Sequence, residues 1–152
     1  MKPFILVALT FFIISVQCLD NKKMLDLVNA ERKKAGAKPL SIDNRLCKVA
    51  EDHSKYMASI NTLTHDDKAG DMGTRYKQHG YEYSCGGENV AEGYTDDESV
   101  MQGWMNSPGH RANILNPSFE HAGFGQSGQD DTKGKKVVPV APLPNSKSNL
   151  QD

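Results

Sequence analysis

Three observations predict an α+β domain. Leu46, Val49, Ala50, His53, Met57 and Ile60 recur at spacings of three and four, the signature of one buried helix face. Tyr81 to Gly93 and Phe119 to Gly128 read as extended, with alternating side chains and glycines that leave room for a neighbouring backbone. Between them lie two helix starts, Thr95 followed three residues later by Glu98, and Ser107 followed by Pro108.

The chain opens with a short basic start, Met1-Lys2-Pro3, and an apolar run from Phe4 to Val16. That run is too short to cross a hydrocarbon layer of roughly 30 Å as a helix, so residues 1–18 read as a signal peptide and the protein as secreted. Val16 and Cys18 occupy the small-residue positions for cleavage after Cys18, and Gln17 disfavours lipid attachment there. The remainder divides into a domain over 19–129 and a tail over 130–152, loose in composition, in which Val137 to Val140 is one short strand. Nothing after the leader is apolar enough to span a membrane. The net charge of −1, with no basic stripe, argues against nucleic acid as the main partner.

Taking the elements in order, Met24, Leu25, Val28 and Ala35 fall at helical spacing from Asn21, and Gly36 stops that segment. Lys22, Lys23, Arg32, Lys33 and Lys34 read as its solvated face. Asp43 or Asn44 caps the second helix, whose apolar stripe places His53 among core residues as a satisfied histidine. Asp66 to Gly73 is rich in turn residues, and Thr74 to His79 forms a short helix before Gly80. Gly86 and Gly87 mark a bulge or a close backbone approach just before Glu88. Val100, Met101, Trp104 and Met105 form the buried side of the next helix. Ser107 as cap and Pro108 as first helical residue put His110 in a first turn, where positive potential keeps an imidazole neutral. In an oxidising compartment Cys47 and Cys85 are the available pair once the leader is removed. A disulfide closing that loop would contribute about 3–4 kcal/mol, the alternative being two buried thiols.

The ordered motifs Val28-Asn29-Ala30-Glu31-Arg32, His53-Ser54 with Met57, Thr64-His65, Arg75 before Gly80-Tyr81, Glu88-Asn89-Val90-Ala91, and Trp104 to Leu115 together resemble the CAP superfamily. That superfamily comprises cysteine-rich secretory proteins, antigen 5 and pathogenesis-related class 1 proteins, and the similarity is to its short bacterial and fungal branch, over roughly 22–128. The resemblance implies a three-layer α-β-α sandwich around a small antiparallel sheet. The family's usual last strand is in question, because Gln126 to Gln129 leads into Asp130-Asp131-Thr132-Lys133.

The resemblance also implies a cleft of two histidines and two acidic residues, matched here by His65, Glu88 and His110. The second acidic residue has only Glu98 or Asp97 as weak substitutes. Two neutral imidazoles and a carboxylate are a reasonable set for Zn²⁺ or another divalent metal ion. No general base, oxyanion donor or nucleophile stands at recognisable spacing, which favours a non-enzymatic protein. The implied ligands are then sterols, fatty acids or similar small apolar molecules, with an extracellular protein or cell-wall partner. A secreted metal-dependent hydrolase or peptidase using the same cleft is the alternative.

Overall fold

Asp43 begins the helix on which much of the domain rests: its carboxylate accepts the Arg45 amide at 2.8 Å, meeting one of the donors a helix start leaves unpaired. The computed structural model describes residues 21–127 and 135–141, the latter by backbone alone. The leader, Cys18 and the tail beyond 141 lie outside the described residues.

Residues 21–34 form α1. There follow β1 (Ser41–Ile42), α2 (Asn44–Ile60), α3 (Met72–Gln78), β2 (Gly87–Ala91), α4 (Asp97–Asn106), α5 (Pro108–Leu115), β3 (His121–Ala122), β4 (Gly125–Ser127) and β5 (Lys135–Ala141). One sheet runs β1-β3-β5-β2, with β4 also on β5. Every pairing is antiparallel except β1 with β3. The sheet therefore has a strand after Gln129, and it is central rather than marginal: the segment read as part of a loose tail pairs with β2 from Gly87↔Val140 to Ala91↔Lys136. Pro139, which lacks an amide hydrogen, falls where β3 pairing has ended and β4 pairing has not begun, so no ladder bond on that side needs it.

Helices cover both faces, which is why all five residues of β2 are buried. Met24 and Val28 of α1, Val100, Met101 and Trp104 of α4 and Ile114 of α5 pack with Ala91, Ala122 and Phe124 on one side. On the other, Leu46 and Val49 of α2 meet Tyr76 and Tyr81, while Ala50 and Met57 meet Val90. Gly123 and Gly125 lie directly against the α2 backbone: a Cβ at either would overlap main-chain atoms of Leu46 and Cys47, or of Ala50 and Glu51. The expected stripe of α2 is buried except at its end, where Ile60 is 42 % exposed beside the left-handed Asn61 cap.

Three further expectations change. Arg32 is not on a solvated face but fully buried. Its Nε donates to the Lys38 carbonyl at 2.7 Å, Nη1 to Ile114 and Asn116, and Nη2 to Phe119 at 3.0 Å. A planar fork of donors suits the free carbonyls at the end of α5, where the helix dipole also favours a cation. The cap of α4 is Asp96, accepting Ser99 N at 2.7 Å, and Thr95 instead donates to Asp96; Glu98 pairs with Lys23 at the surface. Finally, Cys47 and Cys85 are free. Leu46 faces the tyrosines, and Cys47, about 100° further round α2, turns its Sγ toward α1, where it accepts from Asn21 Nδ2 at 3.6 Å. Cys85 is exposed in the loop before β2.

Two outcomes are expected. Arg32→Met should lose on the order of 3–5 kcal/mol in urea unfolding by stranding several buried carbonyls, whereas Lys33→Ala should change little. Iodoacetamide should label Cys85 in the native protein and Cys47 only after unfolding, because burial raises the Cys47 thiol above its ordinary value; intact mass showing neither labelled in denaturant would restore the bridge.

Candidate functional site

Side chains alternate across β2, and this alternation divides the site between two layers. Val90 faces α2 and Ala91 faces α4, so Glu88 shares the α2–α3 side with Val90, and Asn89 shares the α4–α5 side with Ala91. Gly87 precedes them because Asn113 approaches there: a Cβ would lie 2.7 Å from Asn113 Oδ1.

On the α2–α3 side, Glu88 is 7 % exposed and Arg75, from α3, 3 %. Arg75 Nη1 donates to Glu88 Oε2 at 2.7 Å and Nη2 to Oε1 at 3.2 Å, a bidentate pair. Arg75 reaches this position because Asp71 caps α3, accepting Thr74 N at 2.7 Å. Glu88 Oε1 also accepts from His65 Nδ1 at 3.0 Å. Behind them His53 is fully buried: its Nδ1 lies 2.7 Å from Asp67 Oδ2, and its Nε2 lies 2.9 Å from the Thr64 carbonyl and 3.6 Å from Glu88 Oε1. The expected satisfied core histidine is thus also the tie that holds the 64–67 loop over the sheet.

Burial drives the Glu88 carboxyl upward, but hydrogen bonds from His65 and Arg75, with the guanidinium charge, outweigh it and leave the group below the ordinary carboxyl value. The bond to Glu88 raises His65 against a smaller opposing effect of burial. His110 moves the other way, lowered by burial and by the nearby charge of His65.

The expected set of three is therefore only partly assembled. His65 and Glu88 touch, whereas His110, from α5, makes no hydrogen bond or ion pair to either among the described residues. Its carbonyl accepts from Asn89 Nδ2 at 3.0 Å, and Asn113 Nδ2 donates to Asn89 Oδ1 at 2.9 Å, which fixes α5 to the strand. Ser107 and Pro108 start α5 as expected, although the Ser107 hydroxyl makes no capping bond. The cleft beside Glu88, about 490 Å³, is lined by His65, Asp66, Asp67, Asp71 and Arg75 with Gly70 and Met72, and not by His110. Its lining side chains are mostly ionisable, although most of the wall that they expose is apolar.

The set does not fit a metal. Both Glu88 oxygens already accept N–H donors, and a dication there would sit against the Arg75 guanidinium. Among the described residues no group of three His, Cys, Asp or Glu is disposed to hold one. The Glu88–His65 pair is half of an acid–imidazole–nucleophile chain. Nearby hydroxyls do not supply the rest: Thr64 Oγ1 accepts the Asp66 amide, and Ser54 Oγ donates back to Glu51 O within α2.

The model of the cysteine-rich secretory protein family matches residues 25–139. The chain belongs to this family of CAP domains. The match takes in most of β5, in keeping with the strand's central place. The uncharacterised Bacillus subtilis protein YkwD is 46 % identical over 105 residues, 68 % of this chain but 41 % of YkwD. An extracellular SCP-domain protein of Bacillus anthracis superposes with a TM-score of 0.71 at 31 % identity, over 81 % of this chain and 40 % of that one. This CAP chain thus spans about two fifths of each of those relatives. An outer surface protein of Borrelia burgdorferi matches in fold, with a TM-score of 0.74 at 24 % identity over 80 % of this chain and 91 % of that one.

NMR titration should place His65 above and His110 below ordinary histidine, and Glu88→Gln should return His65 toward it. Because His65 is raised, its stabilising contribution is complete below the ordinary histidine value of 6.5 and is lost as pH rises through the folded value. Because Glu88 is lowered, its contribution is complete above 4.5 and lost as pH falls through the folded value, so the pair is strongest between those limits. With His65 59 % exposed, His65→Ala should stay within about 1 kcal/mol of the parent in a thermal melt.

Proposed function

We propose that this CAP domain is a secreted, non-enzymatic binding module that meets a small apolar ligand and an extracellular or cell-wall partner. The observation that carries the non-enzymatic reading is the closed bonding of Glu88: its two oxygens are engaged by Arg75 and His65, which leaves this buried carboxylate committed rather than free to handle a proton. The leader-like residues 1–18 and the extracellular relatives support the setting.

For the ligand, the better-suited place is not the cleft beside Glu88, ringed by ionisable side chains, but a groove between α4 and α5 of about 370 Å³. Met105, Pro108, Ala112 and Leu115 give it apolar walls, and Arg111 a cation able to meet a fatty-acid carboxylate. The alternative, a metal-dependent hydrolase, requires Arg75 to leave Glu88, at the cost of a buried unpaired charge.

Fluorescent fatty-acid displacement and a peptide-cleavage screen, each with and without chelator, separate the two. Binding should survive chelation and fall at least about tenfold, the equivalent of 1.4 kcal/mol, in Ala112→Asp, with no cleavage. Stoichiometric zinc in elemental analysis, together with cleavage abolished by His110→Ala, would establish the hydrolase instead.

A further inference from the structure

A second cavity, about 450 Å³, lies between α2 and the segment carrying α3. It shares Asp67 and Arg75 with the Glu88 cleft but is lined by none of His65, Glu88 or His110. Its volume falls in the range of small-molecule sites, while its lining is more polar than most.

The hydrogen-bonding capacity left over in this cavity is mainly that of donors. Asp67 is committed through both oxygens, to His53 at 2.7 Å and to the Ala69 amide at 2.9 Å, while Asp52, largely exposed, lies 3.2 Å from His79 Nε2. Lys55 and Lys68, both exposed, have no carboxylate partner among the described residues. Arg75 contributes a third donor of a different kind. The side chain is 3 % exposed, both Nη groups are bonded, and the buried Nε–H has no partner. A buried donor without an acceptor is costly, and native structures seldom keep one without a reason.

The remaining lining adds shape. The half-buried Tyr56 ring stacks on His53 with centroids 6.3 Å apart and planes 24° from parallel, which fixes a flat apolar wall. Ser59 spends its proton on the Tyr56 carbonyl, leaving its oxygen to accept, and the Gln78 amide nitrogen is held by Ala69 O at 3.0 Å, leaving its oxygen to accept. Two cations and an unmet N–H call for an anion rich in acceptors. Hydroxyl-accepting oxygens and an aromatic wall call for a hydroxylated ring.

We infer that this cavity binds a carboxylate-bearing sugar ring, of the uronic-acid type, through Lys55 and Lys68, with the ring against Tyr56 and beside the buried Arg75. The site does not depend on the apolar groove between α4 and α5.

The test is a ¹H–¹⁵N NMR titration of the full chain with D-glucuronate, with D-glucose as the neutral ring and acetate as the charge without a ring. Glucuronate should give saturable shifts at Tyr56, Lys68, Ala69 and the Arg75 Nε–H, with both controls at least about tenfold weaker. The double substitution Lys55→Ala/Lys68→Ala, on exposed side chains, should weaken glucuronate by a similar factor and leave the rest of the spectrum in place. No saturation by tens of millimolar, shifts that survive the double substitution, or acetate binding as well as glucuronate would each overturn the assignment.

Discussion

Arg75 and Glu88 are both nearly removed from water, and each would be a costly burial alone. Their two parallel hydrogen bonds make the burial tolerable, and so α3 must stand where its guanidinium meets β2. The same carboxylate takes His65, and the Arg75 Nη2 also reaches the His65 carbonyl at 3.4 Å, so the loop between α2 and α3 is drawn down by the pair. His53 completes the tie from below through Asp67 and Thr64. Three segments distant in sequence thus converge on one carboxylate, and its chemistry is largely used in holding them.

The division of β2 into two faces explains why residues adjacent in sequence serve different layers. Glu88 anchors α3 and the 64–67 loop, while Asn89 anchors α5 through His110 and Asn113. His110 therefore feels the charge of His65 without joining its hydrogen bonds. Buried Arg32 performs for the far end of α5 what Asn89 does for its start, gathering the Ile114 and Asn116 carbonyls. Both ends of a helix only eight residues long are held by side chains from elsewhere, as expected of an element too short to be stable by itself.

Much of this was legible from residue order. The stripe of α2 and the start of α5 follow from periodicity and from Ser107-Pro108, and Gly123 and Gly125 announced a close approach that proves to be the α2 backbone. The satisfied state of His53 was also readable, but not its partner, because Asp67 arrives from a turn that carries no period. Arg32 looked solvated because its charge suggested water, and nothing local reveals four carbonyls, three of them more than eighty residues away. Arg75 was visible only as a marker of the family resemblance; an arginine in a short helix close behind its cap has no local sign of burial. β5 was underestimated because charged residues and Pro139 surround a short apolar run, and only the pairing with β2 and β3 makes it a central strand.

A double-mutant cycle on the buried pair, by urea unfolding of Arg75→Met, Glu88→Gln and the combined protein, tests this account most directly. Each single change should cost about 3–5 kcal/mol by leaving a buried group unpaired, and the combined change well below their sum, with a coupling of about 2 kcal/mol or more. Additive losses would contradict it, since Arg75 and Glu88 would then stabilise the domain separately and the carboxylate would be free for other chemistry.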